Sequence, residues 1–520
     1  MKRMKRLAAL ALSAVMLLSL AACAGNGGKK EDQGTAQKDK GGEPQASTQD
    51  TLTVAFRTEM PKLDPQFCSY VTGFALENLI FDRLVYKNAE GEIEPMLATS
   101  WEEIDPTTVR FHLRDDVVFQ NGEKFTAADV KYTIARATTA PNSMRYFESF
   151  DAEGCKVIDD TTIDVKLFQP FAPIYNYLAS ARGNIVNEKT VEEMGEDAFA
   201  QNPVGTGKFT LESWTSGDRV VLKRNDGYWG EKPAYETFVG RFISEGNTRE
   251  IELETGGVDI ALNIDGDDAA RLEEYPDTQV LVGPSYTTNY LSFDTKFSDL
   301  YKNIKLRQAM AEALDVPAIV DTVWGNTGTV ADSVYSPQLL GYKAVGPVKY
   351  DPEEAKKLLA ESGFDTSKTL QLSVTGSDYV SACEICCNMW KEIGLNVEIQ
   401  MVDSAAYSTS LSARTGEYPL NLGQTNAAVG DPDHGLASWK GEFNTVHDDP
   451  EIYRLLDEGA SENDPGKRVA IYEELQQKCW DYYGTIPLAF SNVLYGVRNN
   501  VKNLDTDPAY CPDFSLVTFQ

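Results

Sequence analysis

The sequence predicts an α/β fold of two or three lobes, on three observations. At 520 residues the chain exceeds the size at which one hydrophobic core keeps growing. From residue 52 to the C-terminus, runs with the two-residue period of strands alternate with runs of helical spacing, and no internal repeat is visible. The stretch 202–230, NPVGTGKFTLESWTSGDRVVLKRNDGYWG, reads as a strand, a tight Ser-Gly-Asp turn and a second strand, a β-hairpin that closes on Tyr228 and Trp229. Such a density of turn formers and large apolar faces suggests a joint between lobes.

In order, the chain opens with Lys2, Arg3, Lys5 and Arg6 ahead of an apolar run from Leu7 to Ala22. This is the pattern of a secretory signal (1–22), too short for a comfortable membrane span. Leu20-Ala21-Ala22-Cys23 resembles a bacterial lipobox, in which the cysteine thiol takes a diacylglyceryl group and becomes the new N-terminus. A cleaved signal without lipid is the alternative. Residues 23–50, mostly Gly, Lys, Gln, Glu and Ser, read as a flexible tether. Leu52 to Arg57 alternates as a half-buried strand, and Phe74 to Leu84 has helical spacing. Val109 to Arg114 reads as a strand, and Thr126 with Asp129 as the N-terminal cap of a helix whose apolar side is Val130, Ile134 and Ala137. Beyond the hairpin come a helix near Arg249, a strand at 257–261 and another at 290–294. Asp315 restarts a helix with Pro317 in its first turn, and Asp351-Pro352 starts one that Gly363 stops. Asp464-Pro465 begins the last long helix, with Val469, Tyr472, Leu475 and Cys479 on one side. Residues 486–488 and 493–497 read as two closing strands.

Charge and motifs narrow the function. The formal charge is −31, and removal of residues 1–22 takes away four positive charges and no negative ones, moving it to −35. Such a surface repels nucleic acid and anionic headgroups, so a lipid rather than electrostatics would hold the chain at a membrane. With Cys23 assigned to lipid, seven of the eight cysteines remain, an odd number without the spacing of a small disulfide framework. Cys383, Cys386 and Cys387 invite a metal reading, but they share a helical pattern with Ala382, Ile385, Met389, Trp390 and Ile393, where a thiol packs as a small hydrophobe. Gly205-Thr206-Gly207-Lys208 mimics the tail of a phosphate-binding loop, yet Phe209 stands where a hydroxyl must reach the metal and Asn202 where the first glycine belongs. No zinc helix or nucleophile elbow occurs, and His112, His434 and His447 lie far apart. The expectation is a binding protein without catalytic residues, metal or cofactor.

The hairpin, the run from Glu94-Pro95-Met96-Leu97-Ala98-Thr99-Ser100-Trp101 to the Thr126 helix, Gly257-Val258-Asp259-Ile260-Ala261 and the junction Ile393-Gly394-Leu395-Asn396-Val397 resemble, in order and separation, solute-binding proteins family 5, the extracytoplasmic receptors of peptide and nickel ABC importers. The resemblance covers nearly the whole mature chain. It implies an α/β, two-lobed, three-domain periplasmic-binding-protein-like clamp (type II, cluster C) with mixed sheets and a hinge. Lobe I would comprise 51–85, 202–290 and 486–520, an inserted domain II 86–201, and lobe III 291–485. The protein would be a monomer, lipid-anchored to the outer face of the cytoplasmic membrane or periplasmic. It would enclose a small peptide-like or chelate-like solute between lobes I and III and deliver it to ABC permease and ATPase subunits. Two other readings remain: a peptide-signal receptor feeding a sensor, and an extracytoplasmic enzyme on the same clamp.

The ligand end departs from the family's dipeptide receptors. Their aspartate for the peptide ammonium would fall within Gln424 to Gly430, where no acid stands, and the loop Thr375 to Tyr379 lacks their arginine for the carboxylate end. Other candidates remain. Arg145 sits where nickel-type members place an arginine for a chelator's carboxylate, and a solvated surface arginine is the alternative. Gln424, Asn426, His434 and Asn289 are candidates to hydrogen-bond an uncharged ligand, and Trp439 or Tyr286 to stack on it.

Overall fold

The computed structural model describes residues 50–439 and 445–520. The signal, Cys23 and nearly all of the tether lie outside the described residues. Among the described residues no helix is long and apolar enough to cross a membrane.

Most strands join one 11-stranded sheet. Its order is Asn396–Met401, Thr369–Val374, Leu420–Asn426, Thr278–Phe293, Thr485–Arg498, Ile260–Leu262, Thr51–Phe56, Thr237–Phe242, Arg219–Arg224 and Phe209–Thr215, with Gly328–Val330 also pairing Thr485–Arg498. Pairing is parallel where helices cross over, as between Thr51–Phe56 and its neighbours Thr237–Phe242 and Ile260–Leu262, and antiparallel between the two long central strands. A separate antiparallel sheet of Ala98–Asp105, Thr108–Leu113, Thr162–Lys166 and Lys156–Asp159 carries the inserted segment.

The long strands serve two cores. Val493, Tyr495 and Val497 pack with Leu52, Val54, Phe238 and Phe514, whereas Ile486, Leu488, Leu291 and Phe293 pack with Leu306, Met310, Cys386 and Trp390. A third core around Phe111, Phe125, Ile134 and Phe147 belongs to the small sheet and the helix Ala127–Ala137. Cys383 and Cys386 are fully buried side chains of the second core.

Local signals in the sequence set many element ends. Thr126 and Asp129 form the reciprocal capping box. Asp315, Asp351 and Asp464 accept backbone N–H groups ahead of helices with proline in the first turn, and Gly363 ends its helix at φ 70°.

Several ends depart from the sequence reading, and the strands read at 290–294 and 257–261 are the tail of Thr278–Phe293 and the short Ile260–Leu262. The first helix spans Val71–Ile80 and stops short of Leu84, because tertiary partners take over: the Ile80 carbonyl accepts from Gly207 N (2.8 Å) and Gln120 Nε2 (3.2 Å). Asp82 accepts from Thr206 Oγ1 (2.9 Å), Tyr228 Oη (3.2 Å) and Trp229 Nε1 (2.9 Å), while Arg114 of the small sheet lies 4.3 Å over the Trp229 ring. The hairpin thus meets the end of the first helix through one buried carboxylate and the small sheet through the Trp229 ring. The two closing strands are one, Thr485–Arg498, since the segment between them also finds partners, Phe490 opposite Thr288 and Ser491 opposite Gly328.

Gly207 leaves no space for a side chain: a Cβ there would sit 2.5 Å from the Ile80 carbonyl carbon. Gly207→Ala is expected to lower unfolding stability by about 1–3 kcal/mol through overpacking. Urea unfolding that shows an unchanged midpoint would reject this account of where the first helix ends.

Candidate functional site

Four segments meet beside the middle of the long strands: Arg83 and Lys87 after the first helix, Tyr146 to Arg182 of the inserted segment, the turn 427–434 after the strand Leu420–Asn426, and Asp507 to Cys511 near the C-terminus. Sequence dictates the turn. Ala427 O accepts from Gly430 N (2.6 Å), Gly430 adopts φ 68°, and a Cβ on it would lie 2.2 Å from Lys87 Nζ and 2.7 Å from Tyr286 Oη. The glycine brings its carbonyl to Lys87 Nζ (2.8 Å) and Asn176 Nδ2 (3.1 Å). Asp431 caps the short helix Pro432–Leu436 and pairs with both terminal nitrogens of Arg468 at 2.8 Å, fully buried. Tyr177 Oη donates to Asp433 Oδ2 (3.2 Å), closing the contact between this turn and the inserted segment.

Rings and a guanidinium stack through the junction. His434 lies on Tyr146 with ring centroids 4.7 Å apart and planes at 28°. The Arg182 guanidinium sits 3.8 Å over the other neighbour of this stack, the Tyr146 ring, and 4.5 Å over Phe74. Behind it the buried Asp64–Arg136 pair holds Gln66, whose Nε2 donates to the carbonyls of Arg182 (3.0 Å) and Asn184 (3.1 Å).

The electrostatics are unbalanced. Among the described residues Arg83, Lys87 and Arg182 have no carboxylate at salt-bridge distance; Arg83 donates to Ala179 O (2.8 Å) and Arg182 to Asn142 O (3.1 Å). Burial pulls the pKa of each of these three cations down. Nearby Glu77 is fully buried; burial, then the charge of Asp64, pushes its pKa well up, while the charge of Arg182 pulls the other way. Asp507, also raised by burial, accepts from Ala509 N (2.7 Å) and Cys511 N (3.3 Å). Arg83, Lys87, Asp507, Tyr290 and His434 all retain accessible surface while burial perturbs their ionisation. These half-buried groups at the meeting of the four segments form the recess taken as the candidate site.

The candidate residues divide. Tyr286, Asn426 and His434 come together at this recess: Lys87 Nζ lies 3.4 Å from Tyr286 Oη, and Asn426 Oδ1 and His434 Nδ1 are buried without partners. Arg145 is exposed, near enough to His434 to depress its pKa. Gln424 is exposed and accepts from Tyr379 Oη (2.9 Å). Asn289, its cross-strand partner, turns inward to Ala489 O (3.2 Å) and Ser491 Oγ (2.8 Å). Trp439 is buried against His447 (4.5 Å) and Tyr290 (6.4 Å). Sequence reading missed Arg83, Lys87, Arg182 and Glu77, which carry no motif. Two surface depressions, about 370 Å³ near Glu59 and Trp214 and about 590 Å³ near Cys387, do not border the recess.

Residues 92–446 match the family model described as bacterial extracellular solute-binding proteins, family 5 middle. The glutathione-binding protein GsiB of Escherichia coli (strain K12) is 26% identical over 469 residues, 87% of this chain and 91% of that protein. HbpA2 from Haemophilus parasuis superposes with a TM-score of 0.81 at 24% identity, covering 90% of this chain and 100% of that one. The binding protein AgaA of A. tumefaciens R10, solved with agropinic acid, gives a TM-score of 0.76 at 26% identity, 90% of this chain and 99% of that one.

Burial holds His434 and His447 neutral, with pKa values lowered to about 4 and about 3. Below about pH 6.5 the unfolded chain binds protons at these positions that the folded chain refuses, so stability falls as pH drops from there towards 4. Proton NMR should show neither imidazole titrating between about pH 5 and 8; a midpoint near 6.5 for His434 would contradict its enclosure.

Proposed function

The chain belongs to the bacterial extracellular solute-binding proteins of family 5, and we propose, on that premise, that its solute is an acidic one, peptide-like or chelate-like, whose carboxylate is met by Arg83, Lys87 and Arg182. Members of this family are the substrate-binding components of ABC importers, transport proteins rather than enzymes. The observation that carries the acidic reading is the set of three desolvated cations, Arg83, Lys87 and Arg182, none of which has a carboxylate at salt-bridge distance among the described residues. A ligand carboxylate would supply the missing counter-charge, and guanidinium groups suit its planar geometry. Tyr146, His434 and Tyr286 offer aromatic faces, and Asn426 Oδ1 with His434 Nδ1 offer acceptors for ligand N–H or O–H groups. Glutathione and agropinic acid, the ligands named for GsiB and AgaA, are both carboxylic acids.

We assign the first core to lobe I, the small sheet to the inserted domain II and the Trp390 core to lobe III, with boundaries at residues 51–85, 86–201, 202–290, 291–485 and 486–520. Closure brings the turn 427–434 of lobe III onto Lys87, Tyr146 and Tyr177, and a solute favours that state only by the contacts it makes there and not in the open one. The mature chain acts as a monomer, tethered by residues 23–50 to a lipid on Cys23.

Native mass spectrometry of freshly isolated protein should recover an acidic solute. Calorimetry with that solute should show Lys87→Met weakening binding by about tenfold or more, the loss of one charge-assisted hydrogen bond; binding within twofold of the parent would remove Lys87 from the site. Cys23→Ala should abolish labelling by radioactive fatty acid and release the protein from membranes, whereas retention of label would refute the anchor.

A further inference from the structure

In lobe I the helices Gly246–Glu254 and Gly266–Glu274 are linked through the strand Ile260–Leu262. Together they set three carboxylates around the Arg271 guanidinium, with Asp265 close to two of them. Arg271 donates to Glu250 Oε2 (2.7 Å), to Asp268 Oδ1 (3.2 Å) and to Glu254. The neighbouring Arg249 sends its donors to the carbonyls of Leu262 (3.2 Å), Ile243 (2.9 Å), Ser244 (2.8 Å) and Asn263 (2.9 Å), and its charge acts on Asp265 and Glu250 without a direct hydrogen bond to either.

Three features show that Arg271 does not satisfy the cluster. Glu250 is entirely buried, and its Oε1 has no hydrogen-bond partner although Oε2 is occupied. A carboxylate oxygen sealed from water without a donor is costly unless a cation faces it. Asp265 stands at the N-cap position of Gly266–Glu274 yet makes no capping hydrogen bond. Its carboxylate instead turns to the start of the other helix, where a Cβ on Gly246 would lie 2.6 Å from Oδ2. Finally, one oxygen each of Glu250, Asp265 and Asp268 lie within 4.8 Å of one another. Two ligands on opposite sides of an ion that binds oxygen at about 2.3–2.6 Å are separated by about that span.

We propose that Glu250, Asp265 and Asp268 bind a calcium ion. The donors are all carboxylate oxygens, which select hard divalent cations, and Ca²⁺ tolerates the irregular geometry of a loop and two helices better than Mg²⁺, which demands a near-ideal octahedron. The site fastens the two helices on either side of Ile260–Leu262, the short strand that pairs with both Thr51–Phe56 and Thr485–Arg498. It is a structural clasp on lobe I and does not touch the solute.

The test uses the purified protein freed of metal with EGTA. Added CaCl₂ should raise the melting temperature by several degrees, with a midpoint in the range of about 10⁻⁴–10⁻³ M usual for extracellular sites, and MgCl₂ at the same concentrations should do markedly less. Asp265→Asn retains a good N-cap residue, so it should fold and lose the calcium response; Gly246→Ala, which crowds the same carboxylate, should weaken it. Absence of a calcium-dependent shift in the parent, a shift of equal size with magnesium, or a full response in Asp265→Asn would each overturn the assignment.

Discussion

The architecture depends on two neighbouring strands, Thr278–Phe293 and Thr485–Arg498, that belong to two hydrophobic cores at once. Each half of the pair is pinned by its own packing, so the register has to adjust in the middle. The pairing is irregular between Pro284 and Thr288 and again between Asn289 and Tyr290. Tyr286 projects from that irregular segment towards Lys87 and Gly430, and Tyr290 follows just beyond it. The recess therefore sits where the shared strands change register.

Around that point the protein tolerates charge in an unusual state. The pair Asp431–Arg468 is buried with complementary geometry, and Asp64–Arg136 likewise. These are frame elements: they hold the turn 427–434 and the loop 64–67 in place. Arg83, Lys87 and Arg182 differ in that their donors rest on backbone carbonyls or aromatic faces. A carbonyl shares a cation's hydrogen bonds without neutralising it, so the positive potential persists into the recess. Removal of one frame partner strands the other as a buried charge, costing about 3–5 kcal/mol.

Legibility followed the range of the interaction. Capping signals were readable because cap and helix are within four residues of each other: Thr126 with Asp129, Asp351-Pro352 with Gly363 and Asp464-Pro465 all end elements as their spacing implies. The cysteine helix was readable from its apolar period, and Cys383 and Cys386 pack as hydrophobes. The stop of the first helix at Ile80 was not, since it depends on Gly207 and Gln120, far along the chain. Asn289 and Gln424 are register partners whose side chains nonetheless go to different neighbours, a choice that pairing alone cannot reveal.

By itself, the sequence determined the family, the alternation of strands and helices, the helix caps, the hairpin and the acidic, secreted character of the chain, because each of these is written in local spacing or composition. Tertiary structure alone decided that Arg83, Lys87 and Arg182 are desolvated without a carboxylate partner, that burial raises the pKa of Glu77, and that Glu250 meets Asp265 and Asp268. Those are properties of charges brought close and stripped of water, and neither proximity nor desolvation exists until the chain has folded.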